Sequence, residues 1–137
     1  MEYLQDTIIY NLIAVQKKLV SEVKIDFSEV DITHENYITL HFIYENPGIS
    51  QTDLSELNAR DKNVIVKTID RLQRNGWVER RSTADDRRAY SLFVTTEGEK
   101  IINKYWESLV QRQNEALSTL SEAEKKQFDR LLKKILR

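Results

Sequence analysis

From Asp61 to Trp77 the chain reads DKNVIVKTIDRLQRNGW, and the placing of its apolar residues leaves little freedom in what this stretch becomes. Ile65, Ile69 and Leu72 recur at helical spacing, so one stripe packs inward while Lys62, Asn63, Val66, Lys67 and Arg71 stay on the other faces. Asn75-Gly76 closes that helix with a residue that tolerates a left-handed backbone. Trp77-Val78-Glu79-Arg80 then alternates apolar with charged, as a half-buried strand does. A polar tip, Ala84-Asp85-Asp86-Arg87-Arg88, turns the chain, and Tyr90 to Thr95 returns as a second strand rich in aromatic and β-branched residues. Upstream, Ser50 with Asp53 resembles a capping pair for a short helix carrying Leu54 and Leu57, with a turn near Asn58 to Arg60. Helix, turn, helix, strand, tip, strand: that order between Ile49 and Thr96 describes a winged helix-turn-helix, a shape whose protruding parts fit DNA.

The flanks are helical. Leu4, Ile8, Leu12, Val15 and Leu19 predict an amphipathic helix over roughly the first two dozen residues. An acidic link from Asp26 to Asp31 follows, and Thr33 then stands as the N-cap of a helix carrying Tyr37, Leu40 and Tyr44, which Asn46-Pro47-Gly48 stops. Beyond the second strand, Thr96 with Glu99 reads as a capping box opening a long helix through Ile101, Ile102, Tyr105, Trp106, Leu109 and Leu117. Ser121 with Glu124 opens another, carrying Phe128, Leu131, Leu132, Ile135 and Leu136. These terminal helices are long for so small a core. Their apolar faces are hard to cover within one lobe, and a dimer built from the two chain ends is the expected solution.

A chain of 137 residues has room for one domain with a respectable core, and 40% hydrophobic with 9% aromatic residues argues against disorder. It contains no apolar run of the ~18 residues that cross a bilayer, so a cytoplasmic location is the default expectation and no membrane partner is expected. With no cysteine there is no disulfide, thiolate nucleophile or thiol redox switch. The net charge of −1 hides a gradient. Residues 1–59 carry 3 Lys+Arg against 10 Asp+Glu, residues 60–88 carry 9 against 5, and residues 89–137 carry 9 against 7. The surplus of +4 in the middle segment falls on the proposed helix and wing, where phosphate contact would occur, although a solvated helix face gives the same pattern.

Individual residues carry both structural and functional readings. Lys62 and Asn63 lie at the front of the second helix, the end that reaches base edges in such motifs, with Val66, Lys67 and Arg71 behind them. Ser50, Gln51 and Thr52 begin the first helix, where free N–H groups and hydroxyls hold phosphate, and capping alone explains Ser50 equally well. Asp86-Arg87-Arg88 is either an ordinary hydrated hairpin tip or a minor-groove probe, with Asp86 or Asp85 orienting an Arg. Tyr10, Tyr37, His41, Phe42 and Tyr44 line a small-molecule cavity in one reading and form core in the other. His34 and His41 alone offer imidazole, which is poor material for a metal site. With 3 Gly, no phosphate loop and no nucleophile elbow, the chain does not read as an enzyme or as the holder of a cofactor.

Taken together, Ile32-Thr33 through Tyr37, Pro47-Gly48-Ile49-Ser50-Gln51, Leu72 to Gly76 with Val78-Glu79-Arg80, and Asp86-Arg87-Arg88 with Val94-Thr95-Thr96-Glu97-Gly98 resemble the MarR family of bacterial transcription regulators. The resemblance spans nearly the whole chain. It implies a mainly α (α+β) fold forming one domain over 1–137, with 1–31 and 97–137 as dimerisation helices and 32–96 as a winged-helix lobe. It implies a homodimer bound to a pseudo-palindromic double-stranded DNA operator, the recognition helix in the major groove and the wing in the flanking minor groove. Most such regulators repress, and many answer to a small-molecule effector. Lack of cysteine departs from the oxidant-sensing members. The rival reading is a winged-helix module that holds a protein partner and has no specific DNA binding.

Overall fold

The computed structural model describes residues 2–23, 27, 29–83 and 86–137, with 83 and 86–89 described by backbone alone. Its contacts divide into two compact units, residues 26–106 and a second made of residues 1–25 with 107–137.

Unit 26–106 begins its regular structure with α2 (His34–Glu45), preceded in chain order by α1 (Ile8–Glu22) of the other unit. Thr33 caps α2 as its sequence position requires, its hydroxyl accepting the Asn36 N–H. β1 (Ile49–Ser50), α3 (Gln51–Asn58), α4 (Lys62–Arg74), β2 (Val78–Thr83) and β3 (Asp86–Val94) follow. The sheet therefore has three strands, in the order β1-β3-β2 and antiparallel throughout, where the sequence suggested a two-stranded hairpin. β1 escapes a pattern search because two residues show no alternation; Ile49 pairs with Leu92, and Gly48 N–H donates to Leu92 O. Gly48 adopts φ +87, a backbone conformation that glycine enters freely.

The core is the apolar stripe the spacing predicted, joined by the strands' inner face. Leu40, Ile43, Leu54, Ile65, Ile69 and Leu92 are fully buried, with Leu72 and Val78 nearly so. Tyr37 is also buried, and its hydroxyl donates to Ile102 O. Its ring lies 5.4 Å from that of Phe27 and 6.3 Å from that of Tyr105. Burial pushes the Tyr37 phenol up to about 12, since the phenolate would lose its hydration.

α5 (Thr96–Ala116) is capped one residue earlier than Thr96-Glu99 suggested: Thr95 Oγ1 accepts the Gly98 N–H and donates to Gly76 O, which ties helix start to wing base. That helix stops at Ala116, one residue short of Leu117. Gly98 is a packing requirement, for a Cβ there would lie 2.3 Å from Trp77 O.

In the other unit, α1 starts at Ile8, later than the Leu4 periodicity suggested, because Thr7 accepts the Tyr10 N–H as N-cap and Leu4 falls in a single 3-10 turn. α6 (Glu122–Leu136) opens with the predicted capping box, Ser121 Oγ accepting from Glu124 N and Glu124 Oε1 accepting from Ser121 N. These bonds hold the Glu124 carboxyl below its usual range. Neither α1 nor α6 contains a buried residue.

Candidate nucleic-acid interface

The α3–turn–α4 geometry rests on polar side chains that periodicity does not reveal. Ala59 ends α3 in the left-handed region at φ 51, and Arg60 N–H reaches back to Ser55 O. Arg60 then points its guanidinium inward, donating to Thr39 Oγ1 at 2.7 Å and Asn36 Oδ1 at 3.4 Å. Thr39 donates to Asn58 Oδ1 or Glu35 O, and Thr68 donates to Asn36 Oδ1. α2, α3 and α4 are thus joined by a satisfied network, which fixes their angles more specifically than apolar contact does.

α4 is capped by Asp61, whose carboxylate accepts the Asn63 N–H at 2.8 Å, so Lys62 and Asn63 stand exposed at its leading end. Val66 and Lys67 continue that exposed face. The helix closes as a Schellman motif: Trp77 N–H donates to Leu72 O, Gly76 N–H donates to Gln73 O, and Gly76 takes φ +82. Arg71 also lies outside the core, but its guanidinium ion-pairs with Asp31, while Asn75 Nδ2 donates to Asp31 O. The middle segment's positive surplus is therefore partly committed. Among the described residues of that segment, Arg60, Lys62, Lys67 and Arg74 make no ion pair, whereas Arg71, Arg80 and Arg81 do.

Ser50 caps α3, its Oγ accepting from Asp53 N at 3.0 Å, and its O–H keeps a donor for another acceptor. Thr52 is exposed beside it. The Gln51 amide oxygen accepts from Arg80 Nε at 3.1 Å. Arg80 is the residue whose part sequence reasoning missed: alternation marked it merely as the charged half of a strand. Its only sequence signal is an arginine opposite the inward-facing Leu92. On the opposite face of the hairpin, Arg81 lies 4.0 Å above the Phe93 ring and pairs with Glu79.

Of the wing-tip candidates, Asp86, Arg87 and Arg88 belong to β3 by backbone, their side chains lying outside the described residues together with Asp85. Of the cavity candidates, Tyr37 is core, and Tyr44 is exposed with its hydroxyl donating to Glu99 at 3.3 Å. His41 stacks 4.7 Å from Trp106, its Nδ1 facing Glu45 at 2.9 Å. Tyr10 lies on α1 of the other unit, 43% exposed. No group of three or more His, Cys, Asp or Glu among the described residues gathers as a metal site. No helix among them is long and apolar enough to cross a membrane.

Comparison with known proteins agrees with this architecture. A model of the MarR family matches residues 30–89, from the approach to α2 through the wing tip. An uncharacterised HTH-type transcriptional regulator of Bacillus subtilis, YybA, is 29% identical over 126 residues, 88% of this chain and 81% of the relative. The HTH-type transcriptional regulator BilQ of Clostridium symbiosum is 33% identical over 94 residues, 69% of this chain, which spans a little under two thirds (65%) of that relative. A solved cysteine-to-serine mutant of MarR from E. coli, complexed with operator DNA, superposes with a TM-score of 0.80 at 26% identity, covering 93% of this chain and 92% of that one. A helix-turn-helix closed by a Schellman motif and a three-stranded wing agree with these likenesses: the chain is similar to the MarR family of transcriptional regulators, in sequence over residues 30–89 and in fold over nearly its whole length.

Proposed function

We propose that this chain binds double-stranded DNA sequence-specifically as a homodimer, represses transcription from a pseudo-palindromic operator, and releases it on binding a small-molecule effector. The observation that carries the reading is the exposed front of α4, where Lys62 and Asn63 follow directly on the Asp61 cap with Val66 and Lys67 behind them. Lys and Asn at that end have the donors and acceptors to read guanine and adenine edges. Ser50, Gln51 and Thr52 at the start of α3 serve the phosphate backbone. Asp86, Arg87 and Arg88 are assigned to the flanking minor groove, and Arg71 to backbone contact once it exchanges Asp31 for phosphate. The operator complex of the E. coli relative supports DNA as the partner.

Dimerisation is supported by the apolar residues that α1 and α6 leave in solvent, among them Ile8 at 80%, Ile135 at 76% and Leu136 at 83% exposure. An effector acts by favouring a dimer geometry whose two recognition helices no longer match half-sites about one helical turn apart. Within the 26–106 unit, exposed Tyr44 with the largely covered His41 beside it is the assigned place for it. The proposed activity is binding alone.

The test is a titration of the purified protein against DNA from upstream of its own gene and against a shuffled sequence at two salt concentrations. Tight binding to the native DNA is expected, weakening by about a thousandfold between ~50 and ~200 mM salt as counterions are released. Binding without salt dependence, or none at low salt, would transfer the same surface to a protein partner.

A further inference from the structure

We propose that Arg80 is a positioning residue that sets the wing at a fixed angle to the recognition helix, so that the two reach DNA as one rigid reader. The inference rests on the DNA-binding reading above. Its support is a guanidinium all of whose nitrogens are engaged: Nε donates to Gln51 Oε1 at 3.1 Å, one terminal nitrogen donates to Gln73 Oε1 at 2.8 Å, and the other pairs with Asp70 Oδ1 at 2.7 Å. These partners stand on the first turn of α3 and the later turns of α4, while Arg80 itself belongs to β2. One planar fork therefore joins all three parts of the motif.

Its setting separates it from an ordinary surface arginine. The Arg80 side chain is 16% exposed, against 56% for Arg81 next to it. It points to the strand face shared with Val78 and Leu92, both buried, where alternation would place an apolar residue. Taking a cation from water is costly unless its donors are satisfied and a counter-ion is near, and here Asp70 with two amide oxygens supplies both. Leucine or valine would fill that face without the cost. What they would not supply is a directional lock, since apolar contact permits sliding and tilting that two hydrogen bonds and an ion pair from one planar group oppose.

The place along the strand matters equally. Pairing between β2 and β3 is regular from Val78 to Ser82 and shifts between Ser82 and Thr83. β1 supports only the Leu92 and Ser91 end of the central strand. Arg80 is thus the tie nearest the irregularity that links the hairpin to a helix. A strand rises about 3.3 Å per residue, so Thr83 is already ~10 Å beyond Arg80, and a tilt of ~10° there displaces it by about 2 Å. A displacement of that size breaks hydrogen bonds whose useful range is a few tenths of an ångström.

The experiment uses the full chain, with Arg80→Gln, Arg80→Lys and Gln73→Met, on a duplex that the wild-type protein has selected from a random-sequence library. Folding is followed by circular dichroism, affinity by fluorescence anisotropy, and groove contact by hydroxyl-radical footprinting at saturating protein, which reports the minor groove directly. Arg80→Gln is expected to bind about tenfold more weakly and to lose the flanking protections while keeping the central ones. Arg80→Lys should behave like it, because an ammonium does not span three partners in one plane. Gln73→Met removes a single bond, leaves the fold intact, and should fade the same flanks to a smaller degree. Flank and centre weakening together, or an unchanged footprint in both Arg80→Gln and Gln73→Met, would overturn the proposal. A wild-type protein that selects no duplex would instead remove the DNA-binding reading, and this inference with it.

Discussion

The unit of residues 26–106 holds every residue of the buried core, while the unit formed by the two chain ends holds no buried side chain among its described residues. Both are built from helices with clear apolar faces. In the first, Ile65, Ile69 and Leu72 meet strands and neighbouring helices of the same chain. In the second, α1 leaves Ile8, Ile9, Leu12 and Ile13 substantially exposed, and α6 does the same with Leu131, Ile135 and Leu136. Amphipathicity marks the face that wants cover and does not say who supplies it. One region completes its own hydrophobic surface; the other presents surface suited to a second copy.

Substitutions divide along the same line. The largest loss is expected for Gly98→Ala, whose methyl would collide with Trp77 O at 2.3 Å and Val94 Cγ1 at 2.8 Å. About 3 kcal/mol or more of stability should disappear, measured by urea unfolding, and the deficit should persist at any protein concentration. A loss below ~1 kcal/mol would mean that the base of the wing yields easily.

Ile135→Asp should act in the opposite manner. Ile135 is 76% exposed, so a carboxylate there costs the isolated chain little, yet it would place charge on the proposed dimer face. Light scattering should show a shift from dimer towards monomer, with the wild-type midpoint of thermal unfolding rising with concentration and that of the variant less so. An unshifted dimer would place the contact elsewhere on the terminal helices.

Tyr37 sharpens the contrast through pH. Its phenol is pushed up to about 12 in the folded chain, above the unfolded value of 10.0, so the unfolded state releases its proton first. The associated stability is complete below pH ~10 and lost as pH rises towards ~12. Tyr37→Phe should lose about 1 kcal/mol at neutral pH, by removing the bond to Ile102 O, and should show a shallower alkaline decline in denaturant midpoints. Parallel declines would show that this hydroxyl is reached by solvent.

The smallest effect belongs to the end unit. Ser121→Ala removes the hydroxyl half of the α6 capping box and should cost about 1 kcal/mol. Glu124 is held below the ordinary carboxylate range by the same box, so its contribution is present above the unfolded pKa and fades as pH falls through the folded one. An acid titration of helicity in wild type and Glu124→Gln should therefore converge at low pH.

Much of this was legible beforehand. Ile65, Ile69 and Leu72 declared α4, Asn75-Gly76 its end, and Thr33 and Ser121 the starts of α2 and α6. β1 was not, since two residues carry no period, and the α5 cap slipped from Thr96 to Thr95 because adjacent threonines look alike until one is seen donating to Gly76 O. The charge surplus of the middle segment was visible too. Sequence could not separate Lys62 and Lys67, which face solvent, from Arg60 and Arg80, whose guanidinium groups turn inward to Thr39 and to Gln51, Gln73 and Asp70. A one-dimensional count treats a structural cation and a contact cation as equal; only the three-dimensional partners distinguish them.

The Schellman closure of α4 has a consequence for how this chain can change in length. Gly76 is the single residue between the helix C-cap and Trp77, whose N–H is still bonded to the helix and whose carbonyl already receives Thr95 N–H. An insertion or deletion there would reverse which strand residues face inward, exchanging Arg80 for Arg81. The joint between α4 and β2 therefore admits no change of length, whereas the far end of the hairpin, beyond the shift in pairing between Ser82 and Thr83, does not carry that constraint.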